Sequence, residues 1–232
     1  MNGNSQSPFA NLTPVVKNLL IINLICFIPF IVLSENNYQG MVVNNLGLFY
    51  FNSPHFRVWQ ILTYMFLHGG WAHILFNMFA LFSFGPILEY AIGPKHFFSL
   101  YFICGIGAAL FQILVQAIEV HYMIGSFTIF DGMQINDPAV FAKLQAIYAV
   151  PTVGASGAIF GLLVGFGMLY PDLELMLLFV PVPIKAKYII PIYIIIEIVL
   201  GVGQFGGDNV AHFAHLGGAL LGFILIKIWR YR

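Results

Sequence analysis

Ser156 lies in the stretch Val153-Gly154-Ala155-Ser156-Gly157-Ala158-Ile159-Phe160-Gly161, a small hydroxyl set between glycines where an apolar run begins. A serine hydroxyl is a weak nucleophile until a base within hydrogen-bond reach takes its proton. His215 is the candidate base, in Ala214-His215-Leu216-Gly217-Gly218-Ala219-Leu220-Leu221-Gly222. Gly157, Gly161 and Gly165 recur every four residues, so one face of a helix starting at Ser156 carries no side chains. Gly218 and Gly222 give the helix after His215 a matching face. Two helices that touch along small residues approach closely in a membrane, and such an approach can bring Ser156 and His215 together. The expected chemistry is that of a serine hydrolase with its active site inside a membrane.

Other polar residues stand within apolar runs. His73 and Asn77 are four apart and share a helix face. They fit either a structural interhelical hydrogen bond or a pair of donors to an oxyanion, assisted by the Ser156 backbone amide at a helix start. Phe160, one turn after Ser156, either packs on the His215 ring or belongs to the core. Glu197, a carboxylate within an apolar run, is a functional candidate by default but is read first as a helix-packing or cavity-facing group, and no third carboxylate is evident beside the serine and histidine. His212 lies one turn before His215. His68 and His73 would point about 140° apart on a regular helix, and no His-Glu-x-x-His signature occurs, so no metal site is expected. Cys26 and Cys104 lie in apolar runs and read as packing residues.

The elements that must hold these groups follow from composition. Of 232 residues, 60% are hydrophobic and 8% charged, against about 25% charged in ordinary globular chains. Six apolar runs approach the ~20 residues that cross a bilayer: Pro14 to Leu33, Trp71 to Ile92, His96 to Glu119, Gly154 to Tyr170, Tyr188 to Val202 and Asn209 to Trp229. The fold expected is an all-α bundle of six transmembrane helices, residues 14–230, after a polar cytoplasmic tail over residues 1–13. No small-residue cleavage site follows the first run, so it reads as a span and not a signal peptide. With the N-terminus in the cytoplasm, Lys17, Lys95, Lys185, Lys187, Lys227, Arg230 and Arg232 lie inside and only Arg57 and Lys143 outside, as the positive-inside rule requires. The zero formal net charge points away from nucleic acid. Membrane lipids are the expected surroundings, and the oligomeric state is left open.

Between the spans, Ser34 to Gly70 reads as an outer loop resting in the headgroups, anchored by Trp59, Tyr64 and Trp71. Asp137-Pro138 reads as the N-cap and first position of a helix. Its stripe Val140, Phe141, Leu144, Ile147 and Tyr148 would lie on the outer leaflet. Pro171 to Lys187 reads as a cytoplasmic link. The glycine-rich loop from Gly203 to Asn209 is a candidate flap.

On His73-x-x-x-Asn77, Gly154-Ala155-Ser156-Gly157 and Ala214-His215-x-x-Gly218-x-x-x-Gly222, placed on the second, fourth and sixth spans, the chain resembles the rhomboid family of intramembrane serine proteases. The likeness runs from about Lys17 to Trp229. It implies a six-helix bundle that cleaves membrane-anchored proteins in or near their transmembrane segments, with a Ser-His dyad and no cofactor. Carried over by position, Ser156 is the nucleophile and His215 the general base. His73 and Asn77 are the oxyanion donors, Phe160 is the aromatic stacked on the histidine, and Gly154 and Gly157 support the serine. His212 lacks the family's spacing to the glycines. One departure is Trp59-Gln60, where the family often has Trp-Arg, so contacts of that arginine are missing or replaced.

Two rival classes bear on the same residues. A catalytically silent rhomboid-like protein would bind transmembrane helices without cutting them, and would keep its function in Ser156→Ala. A small transporter would run ions past Glu197 and the histidines, but no inverted repeat supports it. Short tails suit a bacterial inner membrane with both termini cytoplasmic.

Overall fold

The computed structural model describes residues 12–130, 133–177, 180–203 and 210–230. Residues 1–11 of the tail expected over 1–13, and residues 204–209 of the flap expected over 203–209, lie outside the described residues. Among those described, four helices are long and apolar enough to cross a membrane: Pro14–Val32, Trp71–Ile124, Ala186–Gly203 and His212–Trp229. A shorter apolar helix, Ser156–Leu169, packs with them. Outward-facing Leu24, Ile25, Ile28, Ile195, Val199 and Ile228 are exposed. A soluble monomer rarely leaves so many large apolar groups uncovered, whereas lipid accepts them.

The longest helix is two helices joined at Gly93, whose φ of 79° and ψ of 157° are not helical. A side chain would be strained there, and Pro94 follows, lacking the N–H that would continue the ladder. On one unbroken helix, residues 73 and 108 would stand about 50 Å apart at 1.5 Å per residue. Instead His73 lies against Gly154 and Ala108 against Gly157, so the chain doubles back at Gly93. Residues 71–92 and 94–124 therefore correspond to the second and third apolar runs. The second of these continues to Ile124, past the expected end at Glu119. That carboxylate pairs with Lys143 at 3.3 Å, which lets the helix carry it onward.

The main core joins Leu81, Leu100, Ala158, Leu162 and Ile226 from several helices. At its edge Glu89 accepts hydrogen bonds from the backbone N–H groups of Val15 and Val16, at 3.1 and 3.0 Å. These are among the N–H groups that a helix start leaves without intrahelical acceptors, so Glu89 caps the first helix from another one. Glu89→Ala is expected to cost about 1–2 kcal/mol of stability, read as a lower midpoint of thermal unfolding in detergent; an unchanged midpoint would contradict the capping role.

Several sequence expectations need correction. The outer loop does not simply rest on the membrane. Leu48, Phe49 and Tyr50 are buried, and Leu48 exchanges backbone hydrogen bonds of 2.9 and 2.8 Å with Thr152. Tyr64 is no headgroup anchor: it is buried, and its hydroxyl donates to the Gly105 carbonyl at 2.7 Å. Trp59 and Trp71 do remain exposed. Gln60, at the departure from the family pattern, is buried at the centre of this loop. Its Oε1 accepts from the N–H of Arg57 at 3.0 Å, and its Nε2 donates to the His55 carbonyl at 2.9 Å. An uncharged amide thus fastens the loop.

The structure is also not purely helical. The link before the helix Ala186–Gly203 forms an antiparallel hairpin, β1 (Glu174–Leu177) and β2 (Val180–Lys185). Asp172 ties its base to Lys187 and Lys185 at 2.7 and 3.4 Å. The hydrogen bond from Lys187 holds the Asp172 carboxyl below the usual carboxylate range. Other local readings match: Asp137 Oδ1 caps Pro138–Ala149 by accepting from the N–H groups of Ala139 and Val140. The stripe of that helix was expected on the outer leaflet; Leu144 and Ile147 are instead buried against the protein with Tyr50 and Val120.

Candidate active site

Ser156 is the first residue of its helix, so its backbone N–H has no acceptor within that helix. Fourteen residues make a helix of about 21 Å, shorter than the ~30 Å hydrocarbon core, and a helix so short can begin below the membrane surface. Gly154, just before it, has a φ of +129°, a conformation glycine tolerates and other residues rarely adopt. Its N–H donates to the Tyr64 carbonyl at 2.9 Å. The buried loop therefore fixes the turn that presents the serine.

The helix His212–Trp229 meets the serine helix glycine against glycine. A side-chain carbon on Gly218 would collide with the carbonyl oxygen of Gly157, and one on Gly222 with that of Gly161. On the other side, Gly157 packs on Ala108 and Gly161 on Cys104. This contact brings His215 Nε2 to 2.7 Å from Ser156 Oγ. Phe160 stacks on the His215 ring with centroids 4.4 Å apart and planes 8° from parallel.

His73 and Asn77 line the same cavity as Ser156 and His215. A carbon added to Gly154 would lie 2.6 Å from His73 Nε2 and 3.6 Å from Ser156 Oγ, so the imidazole and the hydroxyl border the same space beside that glycine. Asn77 Nδ2 is buried with no hydrogen-bond partner. An unpaired buried amide costs about 1–3 kcal/mol, and a donor kept in that condition in the cavity of Ser156 is of a kind suited to receive developing negative charge. His68 differs from its sequence reading. The helix begins at Trp71, so the 140° argument does not apply, and the His68 and His73 rings meet edge-on with centroids 5.1 Å apart.

Glu197 was missed as a partner of the pair. Its Oε2 lies 2.9 Å from His215 Nδ1 and 2.7 Å from His212 Nδ1. His212 therefore contacts the carboxylate, while His215 bridges the carboxylate and the serine. These three groups are the one cluster among the described residues with spacing suited to a metal ion. The usable sequence signal was Glu197-x-x-x-Gly201 on the helix before the two histidines: a side-chain carbon on Gly201 would come within 3.1 Å of His212 Cβ, so the helices pass closely one turn from Glu197.

The cavity that opens on Ser156 measures about 1610 Å³. Phe76 and Phe84 wall it on one helix, and Ile189, Ile190 and Tyr193 on another. It has room for a segment of polypeptide, polar at the serine and apolar along its sides.

Helices of this length and exposure define a multi-pass integral membrane protein, here with a serine–histidine pair inside its bundle. The sequence matches a rhomboid domain over residues 55–232. The chain belongs to the rhomboid family. It is 28% identical to RHOMBOID-like protein 12, mitochondrial, of Arabidopsis thaliana over 211 residues, 90% of this chain and 56% of that protein. It is 30% identical to Rhomboid protein 1, mitochondrial, of Saccharomyces cerevisiae over 166 residues, covering 71% of this chain and 40% of that protein. With YdcA of Bacillus subtilis, provisionally named a rhomboid protease, identity is 28% over 223 residues, 94% of this chain and 89% of that protein. The chain spans about half the length of the plant and yeast relatives.

Proposed function

We propose that this chain is an intramembrane serine endopeptidase that cuts membrane-anchored proteins in or near their transmembrane segments. The observation that carries this reading is the 2.7 Å contact between Ser156 Oγ and His215 Nε2 in the wall of a large, apolar-sided cavity. Six crossings, counting the helix broken at Gly93 as two, would put both termini on one side of the membrane; the distribution of Lys and Arg makes that side the cytoplasm, and a bacterial inner membrane is the setting we favour.

In this mechanism Ser156 Oγ attacks a peptide carbonyl carbon while His215 Nε2 takes its proton. The tetrahedral oxyanion receives hydrogen bonds from His73, Asn77 and the Ser156 backbone amide. His215 then protonates the leaving amine, the C–N bond breaks, and an acyl-enzyme remains. Water, deprotonated by His215, releases it. Phe160 keeps the imidazole in plane through both steps, and the scheme uses no cofactor. Asn77→Ala is expected to lower kcat about 10²-fold if it supplies one oxyanion bond, with KM little changed; a kcat equal to wild type would remove Asn77 from the mechanism.

The function itself is tested by reconstituting the protein in liposomes with single-span substrates and identifying products by mass. Cleavage within or beside the span, absent from vesicles without the protein, supports the reading. Intact substrate from a well-folded protein across a varied panel would count against it.

A further inference from the structure

Glu197 stands on the helix Ala186–Gly203 with its carboxylate between two imidazoles of the next helix. We propose that it is a positioning residue, the third member of a Glu197–His215–Ser156 series, with His212 steadying the carboxylate. The proposal rests on the protease reading above and adds what sets the state of its base.

The argument is one of donors and acceptors. A neutral imidazole carries a hydrogen on one ring nitrogen and a lone pair on the other. To serve as base, His215 must keep its lone pair on Nε2, where Ser156 Oγ lies at 2.7 Å. The hydrogen must then sit on Nδ1, and that position needs an acceptor. Glu197 Oε2 is there, at 2.9 Å. Phe160 cannot do this, because a ring stacked face to face orients the imidazole plane without distinguishing its two nitrogens. The carboxylate does distinguish them.

His212 fits the same scheme. Its Nδ1 lies 2.7 Å from the same oxygen, and in this scheme it too carries its hydrogen there, so that Oε2 accepts two N–H bonds. The Glu197 side chain is only 12% exposed, and two accepted N–H bonds would favour its ionised form. Charged groups at such depth are costly unless paired, and two N–H donors from one helix face meet that need. Gly201, one turn on, permits the approach, since any side chain there would press on His212 and on the Phe213 ring. During reaction the Ser156 proton passes to Nε2, and the new imidazolium lies against the carboxylate, which stays ionised. When His215 passes that proton to the leaving amine, the arrangement returns to its starting state.

A carboxylate between helices could also act only as structural adhesive, so the test separates the two roles. Cleavage kinetics are measured in liposomes for wild type, Ser156→Ala, Glu197→Gln and Glu197→Asp, each checked for thermal unfolding. We expect Glu197→Gln to lose on the order of 10²-fold or more in kcat, below the ~10⁴ seen when a buried triad carboxylate becomes an amide, with KM within about two-fold of wild type. Glu197→Asp should recover at least part of that loss. A folded Glu197→Gln with wild-type kcat overturns the proposal, as does loss of wild-type activity on adding the chelator EDTA, because Glu197, His212 and His215 would then be cation ligands. If the variants do not fold, nitrogen-15 shifts of labelled histidine in the wild type decide: hydrogen on Nδ1 of His215 supports the assignment, and hydrogen on Nε2 overturns it. Undiminished cleavage in Ser156→Ala would sink the protease reading itself. An active wild type and an inactive Ser156→Ala beside an unimpaired Glu197→Gln would sink only the third member.

Discussion

Ser156→Ala is expected to abolish cleavage while the protein inserts and unfolds as the wild type does. The substitution removes one oxygen from a site at the mouth of a helix, and the glycine contacts that position that helix involve Gly157 and Gly161 rather than the hydroxyl. Stability should therefore move little. Loss of the nucleophile in serine proteases lowers kcat on the order of 10⁶-fold, so turnover should fall below detection in any practical assay. The check is cleavage of a reconstituted substrate alongside the unfolding midpoint of each protein. Activity surviving in this variant would mean that another group carries the chemistry, and none of the geometry at Ser156 would then matter.

Gly218→Ala should also be strongly damaging, although it changes neither Ser156 nor His215. The added carbon would meet the Gly157 carbonyl oxygen, with Gly157 Cα at 3.2 Å, and backbone atoms cannot swing aside as a side chain can. The two helices must separate. A displacement of about 1 Å between reacting groups costs on the order of 10²-fold in rate, and the 2.7 Å contact lies one turn from the collision. Overpacking should also lower stability by about 1–3 kcal/mol. The comparison is Gly40→Ala, where an added carbon meets nothing within 4 Å and activity should be unaltered. A fully active Gly218→Ala would show that the helices do not touch as described.

These two positions also show what could be read from the chain. A hydroxyl and an imidazole, each beside a run of glycines at helical spacing, are local patterns, and helix contact follows from them directly. The proposed oxyanion pair, His73 and Asn77, stood out as two polar residues one turn apart in an apolar helix. Glu197 stood out as a buried carboxylate but its partner did not, because a lone carboxylate in an apolar helix does not say which neighbour it faces. That depends on how the helix is rotated, and only the packing of Gly201 against His212 sets it. Tyr64 misled for a related reason: an aromatic with a polar tip suits a headgroup layer and a buried carbonyl equally well, and the Gly105 carbonyl claimed it. The hairpin was hidden by prolines. Pro183 lacks a ladder donor, which a two-stranded edge tolerates, and its pairing with Met176 shows in no periodic signal.

The central claim is that His215 activates Ser156, and the most direct measurement needs no substrate. Detergent-purified wild type, Ser156→Ala and His215→Ala are treated with a fluorophosphonate, and the modified peptide is located by mass. The account predicts a single adduct on Ser156 in the wild type and none in either variant. An adduct formed as fast in His215→Ala, or carried by another residue, would contradict it.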